Sequence, residues 1–465
     1  MGEDISRHQF DEGAIARFGE RLRAETDRLC GWIDNGEFGD GEVTCGNELE
    51  GWLVDSRFRA TTANGRYLEA LGMPEAVPEL ARFNIEFNGR PKQVPGHGLA
   101  AMHAELLRWL NRGAAVAEQQ GLNLVFIGSL PTLCESDINV ANITLTNRYK
   151  ALDEMLARYR GAPEAEIEIE GRGGRYRRRF DSIMIESATT SFQLHLQVPG
   201  SDAVAWYNAA VAATAPVLAM AANSPYLFGH DLWAENRIPV FMQSVNSREL
   251  NSVTFGNGYL ERSWSEFFRN NLDYPVLLPE CFADDDETLP HLRLHNSTVW
   301  RWNRPVIDIE NRRLRIEHRA LPAGPTVVDM VANCALFFGL VAELAAADTP
   351  VTELLPFQQA EANFFAAARD GIDARLHWRG ALVDAPGLLL DELLPCAARG
   401  LRRLDVDRHE AEEYLEIVRE RAVRRVNGAQ WQRAFVRRHG EDPEALVAAY
   451  SEQQLRGRPV AQWPT

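Results

Sequence analysis

A chain of 465 residues exceeds the roughly 250–300 residues that one simple hydrophobic core supports, so we expect one large elaborated unit or two fused lobes. Hydrophobic residues make up 45% of the sequence and charged residues 25%, a composition typical of a soluble globular protein and not of a disordered chain. The formal net charge of −17 argues against a nucleic-acid partner, because phosphate binding needs an extended basic surface.

Cysteine placement and the N-terminal residues bear on the cellular compartment. The six cysteines form no CxxC pair, which argues against a structural zinc site and against a small disulfide scaffold. The first residues are polar and lack the apolar segment of a signal peptide, and polar side chains interrupt the longest apolar stretch, residues 204–222. We therefore expect a cytoplasmic protein with reduced thiols and no membrane partner.

Helices and strands alternate through the first part of the chain. Residues 10–36 have helical periodicity and end in a turn rich in glycine and aspartate, and a strand begins near residue 43. The next predicted elements are a helix at 98–120, a strand at 122–127 and a long helix at 201–222.

Beyond residue 350 the pattern changes to amphipathic helices, predicted at 357–370, 388–401 and 409–426. The last residues contain glycine and two prolines without periodicity, which is typical of a tail. The sequence thus divides into an N-terminal helical extension at 1–40, a mixed region at 41–345, a helical region at 346–455 packed on it, and a tail at 456–465.

A charged hairpin is predicted between residues 164 and 180. Its first strand alternates glutamates with small or apolar residues, and its second strand is rich in arginine: Glu164, Glu166, Glu168, Glu170, Arg175, Arg177, Arg178 and Arg179. Exposed cross-strand pairs of opposite charge each contribute about 0.2–1 kcal/mol. A solvated hairpin is the favoured interpretation, and a substrate lid is the alternative.

Three segments, at residues 82–88, 191–198 and 313–320, alternate strictly between polar and apolar side chains, which predicts strands with one polar face. The polar positions are Arg82, Asn84, Glu86 and Asn88, then Ser191, Gln193, His195 and Gln197, and finally Arg313, Arg315, Glu317 and Arg319. Taken singly, each segment resembles any half-exposed antiparallel strand. The choice of Gln, His, Glu and Arg, which bind cations and phosphates, favours polar faces that line a cavity.

An earlier strand, at residues 45–52, places Glu48 and Glu50 on one face about 6–7 Å apart. This spacing suits two neighbouring cations, and Mg²⁺ would neutralise the two like charges while leaving positions for phosphate oxygens. The carboxylate of Glu317 beside Arg319 could hold a metal next to a phosphate, with a structural salt bridge as the alternative. For His195 the alternatives are a metal ligand, a general base or a hydrogen-bonded structural residue.

Several nucleotide and hydrolase signatures are missing from the sequence. It contains no GxxxxGK[ST] loop, no GxGxxG turn, no HExxH and no GxSxG elbow. A nucleotide would therefore be held mostly by metal ions and arginines on the sheet.

In this order, the polar strands resemble the glutamate–cysteine ligase type 2 family, bacterial carboxylate–amine ligases related to glutamine synthetase. The likeness rests on GNELEGWLVD at 46–55, ELARFNIEFN at 79–88, SFQLHLQVP at 191–199, ANSPYLFG at 222–229 and the segments at 299–305 and 315–319. It covers residues 41–345 in motif detail and the helical region more loosely.

The resemblance implies an α+β fold in which an antiparallel curved β-sheet, like that of glutamine synthetase, has a polar active-site face, with helices packed outside and a helical C-terminal region. Residues 41–345 would be the catalytic domain. The implied metal ligands, for Mg²⁺ with Mn²⁺ as the alternative ion, are Glu48, Glu50, Glu79, Glu86, His195 and Glu317. Arg319 would hold the γ-phosphate of ATP with Arg304 in support, and Arg237 and Gln193 would bind substrate.

The implied activity is ATP-dependent amide formation through an acyl phosphate, with glutamate or a similar carboxylate as donor and an amine as acceptor. A cysteine acceptor is not assumed, because the glutamines beside His195, the charged hairpin and the N-terminal extension depart from the family pattern. One alternative is a phosphotransferase on the same sheet. The other is a catalytically silent relative that binds a nucleotide or an amino acid and acts through protein partners. The oligomeric state stays open, with a homo-oligomer as one option.

Overall fold

The computed structural model describes residues 4–162, 164–247, 251–283 and 287–465. The strands are β1 Thr44–Val54, β2 Ala76–Pro78, β3 Asn84–Asn88, β4 Lys92–Gln93, β5 Asn123–Val125, β6 Ala165–Gly171, β7 Gly174–Phe180, β8 Phe192–Val198, β9 Tyr226–Leu227, β10 His230–Asp231, β11 Val253–Thr254, β12 Trp300–Arg301, β13 Asn303–Asp308, β14 Arg313–His318, β15 Arg375–Trp378 and β16 Ala381–Asp384. The α-helices are α1 Glu12–Asp34, α2 Asn64–Leu71, α3 Gly98–Gln119, α4 Asn147–Arg160, α5 Ala203–Ala221, α6 Arg237–Val245, α7 Ser265–Asn271, α8 Pro290–Asn296, α9 Val327–Ala345, α10 Val351–Leu354, α11 Phe357–Asp370, α12 Ala385–Leu388, α13 Leu394–Arg403, α14 Arg408–Arg424, α15 Gly428–His439 and α16 Pro443–Arg456.

A large antiparallel sheet organises the molecule. Its strand order is β13–β14–β8–β1–β3–β2, and β4 and β5 also pair with β1. All these pairings are antiparallel. The predicted mixed fold, with a large antiparallel sheet and helices beside it, is confirmed.

The apolar side chains of the alternating strands form the inner face of the sheet. Leu49, Leu194 and Ile316 on this face are fully buried. Helices α3, α5 and α9 pack against β1, β8 and β14 on the sheet. The polar residues at the intervening positions therefore point to the opposite face, as the period of two requires.

Helices α5 and α9 are long and apolar enough to cross a membrane by length and composition alone. In this structure, 89% and 94% of their most apolar windows are buried inside the protein. The two helices pack on each other, and α9 also packs on α13 and α14. Burial on all sides accounts for their uniformly apolar composition.

The crossing of α9 and α13 depends on two glycines that face each other. A Cβ atom added to Gly400 would collide with the Gly339 carbonyl oxygen, and one added to Gly339 would collide with the backbone of Ala397. Because backbone cannot move aside as a flexible side chain can, we expect Gly400→Ala to lower the free energy of unfolding by about 1–3 kcal/mol in urea titrations. As a control, Gly31→Ala in α1, where an added Cβ meets nothing within 4 Å, should be neutral or slightly stabilising.

Helix α13 begins with a local distortion. The sequence predicts one helix at 388–401, whereas the structure has α12, a wider turn at Leu389–Leu393 and then α13. Pro395 in the first turn of α13 cannot donate a backbone hydrogen bond, which favours a wider turn immediately before it. The predicted helix at 357–370 agrees with α11 at both ends.

Helix α1 and the C-terminal residues both pack against the rest of the molecule. In α1, the Glu25 carboxylate lies 2.6 Å from His291 Nδ1 and accepts the Leu292 N–H at 2.8 Å. In the predicted tail, Trp463 is buried and Val460 donates its N–H to the Asp329 carboxylate at 2.9 Å. The four-part division of the sequence stays a prediction.

The charged hairpin is present as β6 and β7. Its register places Glu166 opposite Arg179 and Glu168 opposite Arg177. The apolar side chains between the glutamates, including Ile167, are buried, and β6 packs against α6. The hairpin therefore has a solvated charged face and an apolar face that belongs to the core.

Candidate active site

A cleft of about 430 Å³ opens on the polar face of the sheet. Nine of the ten predicted site residues line it, namely Glu48, Glu50, Glu79, Glu86, Gln193, Arg237, Arg304, Glu317 and Arg319. The tenth, His195, places its Nε2 atom 3.3 Å from Glu48 Oε1 and 3.9 Å from Glu317 Oε2. The fold therefore brings all ten residues to one place.

Strand register explains how residues far apart in sequence meet. Glu50 on β1 lies opposite Glu86 on β3, and Glu317 on β14 lies opposite His195 on β8. On the other side of β14, Arg304 on β13 also lies opposite Glu317. Directly opposite residues on one face have Cβ atoms about 4.5–5.5 Å apart, so the polar faces join into one continuous surface.

Glu48, His195 and Glu317 form the first group that could hold a metal ion. Their ligand atoms lie within 4.8 Å of one another, and the buried His195 Nε2 atom forms no hydrogen bond with any described residue. Burial raises the pKa of Glu48, but His195 more than offsets this effect and holds that pKa at about 2. Two carboxylates and an imidazole nitrogen fit a divalent cation such as Mn²⁺ or Mg²⁺.

Glu317 is also held by two arginines. Arg304 Nη2 donates to both carboxylate oxygens at 2.9 Å, and Arg319 Nη1 donates to Oε1. Burial opposes the charge of Glu317, yet Arg304, Arg319 and His195 keep its pKa well below the usual range. Glu317 is therefore ionised at neutral pH and fixed in position.

Glu50, Glu79 and Glu86 form the second group, again with ligand atoms within 4.8 Å of one another. Burial raises the pKa of Glu50 and of Glu79, and the charge of Glu86 raises both further. Ser191 donates its N–H and its hydroxyl to Glu50, each at 2.7 Å. A divalent cation would relieve the repulsion among the three carboxylates, so this all-oxygen donor set fits Mg²⁺.

Two more predicted residues place hydrogen-bond donors at the cleft. Arg319 donates to Gln193 Oε1 at 2.7 Å, which links the arginine to β8, the strand that carries His195 of the first group. Arg237, the first residue of α6, donates to the Ala320 carbonyl at 3.1 Å and to the Glu235 carboxylate at 3.4 Å. Its Nε atom is buried and has no hydrogen-bond partner in the part of the chain that the structure describes. A buried guanidinium with an unused donor at a helix N-terminus suits an anionic ligand.

Several residues that line the cleft have no role in the site predicted from the sequence. Glu186 lies outside any alternating strand, so no periodic signal marks it; burial and then the charge of Glu50 raise its pKa to about 7. The alternation of β14 predicts Arg315 on the polar face but gives it no role in the site. Arg315 lines the cleft, and its Nε atom is buried with no hydrogen-bond partner among the described residues. Trp300 and Trp302, which are equally compatible with a core position by sequence, also line the cleft.

Helix α8 supports the arginine side of the cleft. Its Asn296 carbonyl accepts a hydrogen bond from Arg304 Nη1 at 3.2 Å, and the preceding His295 is buried with Nε2 3.2 Å from the Tyr274 carbonyl oxygen. Burial lowers the pKa of His295 from 6.5 to about 4. Between these values the unfolded chain binds more protons than the folded one, so acidification through this window destabilises the fold.

His295→Gln should therefore weaken the pH dependence of stability. We expect the loss in free energy of unfolding between pH 7.5 and about pH 4.5 to be smaller in the variant by about 2–3 kcal/mol, measured by urea titration at both pH values. His409→Gln, which changes an exposed histidine, is the control and should leave the loss unchanged. Equal losses in His295→Gln and the unmodified protein would contradict the prediction.

Solved structures that share this fold include the following two. Glutamate–cysteine ligase from Francisella tularensis, in complex with AMP, has 12% sequence identity and a TM-score of 0.53, with 90% of each chain covered. A bifunctional glutathione synthetase from Pasteurella multocida has 12% identity and a TM-score of 0.53. That alignment covers 94% of this chain and 54% of the bifunctional one, so this chain spans about half of that protein.

Sequence comparison identifies the family. No match is found among curated proteins. A family model described as glutamate-cysteine ligase family 2 (GCS2) matches residues 44–452, which include all ten predicted site residues and most of the helical region. With this match over most of its length, and with the polar sheet face described above, the chain belongs to glutamate–cysteine ligase family 2, a family of ligases.

Proposed function

We propose that this protein is an ATP- and Mg²⁺-dependent ligase that joins a carboxylate, glutamate or a close analogue, to an amine through an acyl phosphate. The observation that carries the proposal is the pair of metal-binding groups on one sheet face, with Arg304 and Arg319 bound to Glu317 beside them. Family membership supports the ligase class. The AMP in the Francisella structure supports an adenine nucleotide as substrate.

The proposed roles follow from the two groups. One ion would be held by Glu48, His195 and Glu317, and the other by Glu50, Glu79 and Glu86. Bound Mg²⁺ would neutralise the phosphate charge that develops during phosphoryl transfer.

The arginines would act on the anionic substrates. Arg319 would bind the γ-phosphate through the donors it does not use on Gln193 and Glu317, and Arg304 would keep Glu317 ionised and in place. Arg237 would bind the donor near the second metal group. The donor carboxylate attacks the γ-phosphorus and ADP leaves. The ammonium form of the acceptor loses one proton to water, and the free amine then attacks the acyl carbon. Phosphate leaves and takes up the second proton from nitrogen, so no protein nucleophile is needed.

We further propose that residues 41–345 form the catalytic domain, that residues 346–455 pack on it, and that the enzyme works in the cytoplasm. The packing of α11 on α5 and of α13 and α14 on α9 supports this arrangement of the two regions. The substrates would be small molecules.

The test is a product mass measurement after incubation with ATP, Mg²⁺, glutamate and a panel of amines. The proposal expects an amide together with ADP and phosphate, and expects Glu48→Ala to form no amide. A stable phosphorylated product without an amide would instead support a phosphotransferase. No turnover with any amine, together with full cellular function of Glu48→Ala, would support a catalytically silent binding protein.

A further inference from the structure

Glu186 stands apart from the other acidic residues of the cleft. Six glutamates line the cleft, and five of them belong to the two metal-binding groups. Glu186 belongs to neither group. Within the described ranges of the chain, its carboxylate forms no hydrogen bond or ion pair. The sixth carboxylate is therefore available to a ligand.

The position of Glu186 is defined by the elements around it. It lies in the helical turn Ile183–Ala188, which precedes β8 and packs against both α4 and α6. Helix α4 contributes Tyr149 and Leu152 to the same cleft. Tyr149 donates its hydroxyl to the Glu79 carboxylate of the second metal group at 3.3 Å, so Glu186 and Tyr149 line one cleft beside that group.

The proposed reaction also needs a binding site for the amine acceptor, and none of the residues discussed so far provides one. ATP and the donor are anions. The metal ions can bind them, as can the cleft arginines Arg237, Arg304 and Arg319. The acceptor arrives as an ammonium ion, because amines have pKa values above neutrality. An arginine repels this group, and the other five glutamates would be neutralised by metal ions.

We propose that Glu186 binds the ammonium group of the incoming acceptor and so determines the preference of the enzyme for cationic amines. The body of the acceptor lies on the wall formed by Tyr149, Leu152 and Ile183, which suits a primary amine or amino acid with a small uncharged side chain. This inference rests on the ligase activity proposed above. Glu186 is a specificity residue in this scheme and takes no part in binding the metal ions.

The test compares a cationic acceptor with hydroxylamine, a nucleophile that is uncharged at pH 7.5. Glu186→Gln is expected to raise KM for the best amine acceptor about 10–100-fold, since a hydrogen bond to a charged group is lost. KM for ATP, for the carboxylate donor and for Mg²⁺ should stay unchanged. Activity with hydroxylamine should also be retained, which a general structural defect would not allow.

Two further variants complete the design. Glu186→Asp keeps the charge and should retain the preference for the cationic acceptor. If Glu186→Gln does not fold, Glu186→Ala takes its place, with the same expected rise in KM for the amine. Glu154→Gln, which removes an exposed carboxylate on α4, is the control and should behave like the unmodified enzyme.

The possible failures are distinguishable. If the unmodified protein forms no amide with any acceptor, the proposed ligase function fails. If it forms an amide but Glu186→Gln lowers activity with cationic and neutral acceptors equally, or with neither, the assignment of the ammonium site to Glu186 is wrong. If Glu186→Gln raises KM for Mg²⁺ and keeps the acceptor preference, Glu186 is a metal ligand and the inference is overturned.

Discussion

Arg319→Lys should lower kcat for ATP-driven amide formation by about 10³-fold, because an arginine that stabilises the transferring phosphoryl group contributes at least this factor. The guanidinium donates to Gln193 and Glu317 and still has donors for a phosphate, whereas the compact ammonium of lysine cannot form this fork. The measurement is steady-state ADP release together with the amount of amide formed.

The control for this variant lies on the same strand. Arg313→Lys changes a residue at the far end of β14, beside the Gly39 carbonyl and outside the residues that line the cleft. It should keep kcat within a factor of about 2, since surface substitutions of this kind have small effects. A loss of less than 10-fold in Arg319→Lys would contradict the role assigned to Arg319.

Glu317→Gln should affect both stability and activity. Removing the carboxylate leaves Arg304 and Arg319 without their buried partner, and we expect the free energy of unfolding to fall by about 3–5 kcal/mol in urea titrations. Amide formation should fall by about 10²-fold or more, because the variant also loses a ligand of the first metal group. Assays over a range of Mg²⁺ concentrations would show the weaker metal binding as a raised KM for Mg²⁺.

Two further variants show whether the loss of stability is specific to the buried ion pair. The double variant Arg304→Gln and Glu317→Gln should be less destabilised than the sum of the single variants, since the two residues share one interaction. Glu310→Gln changes an exposed carboxylate in the turn between β13 and β14 and should be neutral. Additive losses in the double variant would show that Arg304 and Glu317 do not stabilise each other.

Individual residues of the site differ in how strongly the sequence marks them. Alternation assigned Glu86, His195 and Glu317 to polar strand faces, and each lies on such a face in the structure. Glu79 lies in the connection after β2, where its carboxylate accepts the Leu80 N–H at 2.8 Å, so periodicity could not mark it and only the family resemblance did. Glu186 had neither signal.

Strand boundaries show a similar limit. The alternation at 82–88 predicts a strand of seven residues, but β3 begins at Asn84 because its N–H donates to the Ala81 carbonyl at 2.9 Å in a turn. Alternation of polar and apolar residues is the same in a strand and in an extended turn. Only the hydrogen-bonding partner distinguishes them.

The sequence by itself determined which side chains share a strand face, because the period of two is a property of the backbone and needs no partner. It also determined the apolar character of α5 and α9 and, through the ordered motifs, the family. The tertiary structure alone decided the strand order and register that place Glu50 opposite Glu86 and Glu317 between His195 and Arg304. Register depends on contacts between segments far apart in the chain, and the same contacts bring Glu186 to the cleft beside the groups that the sequence had identified.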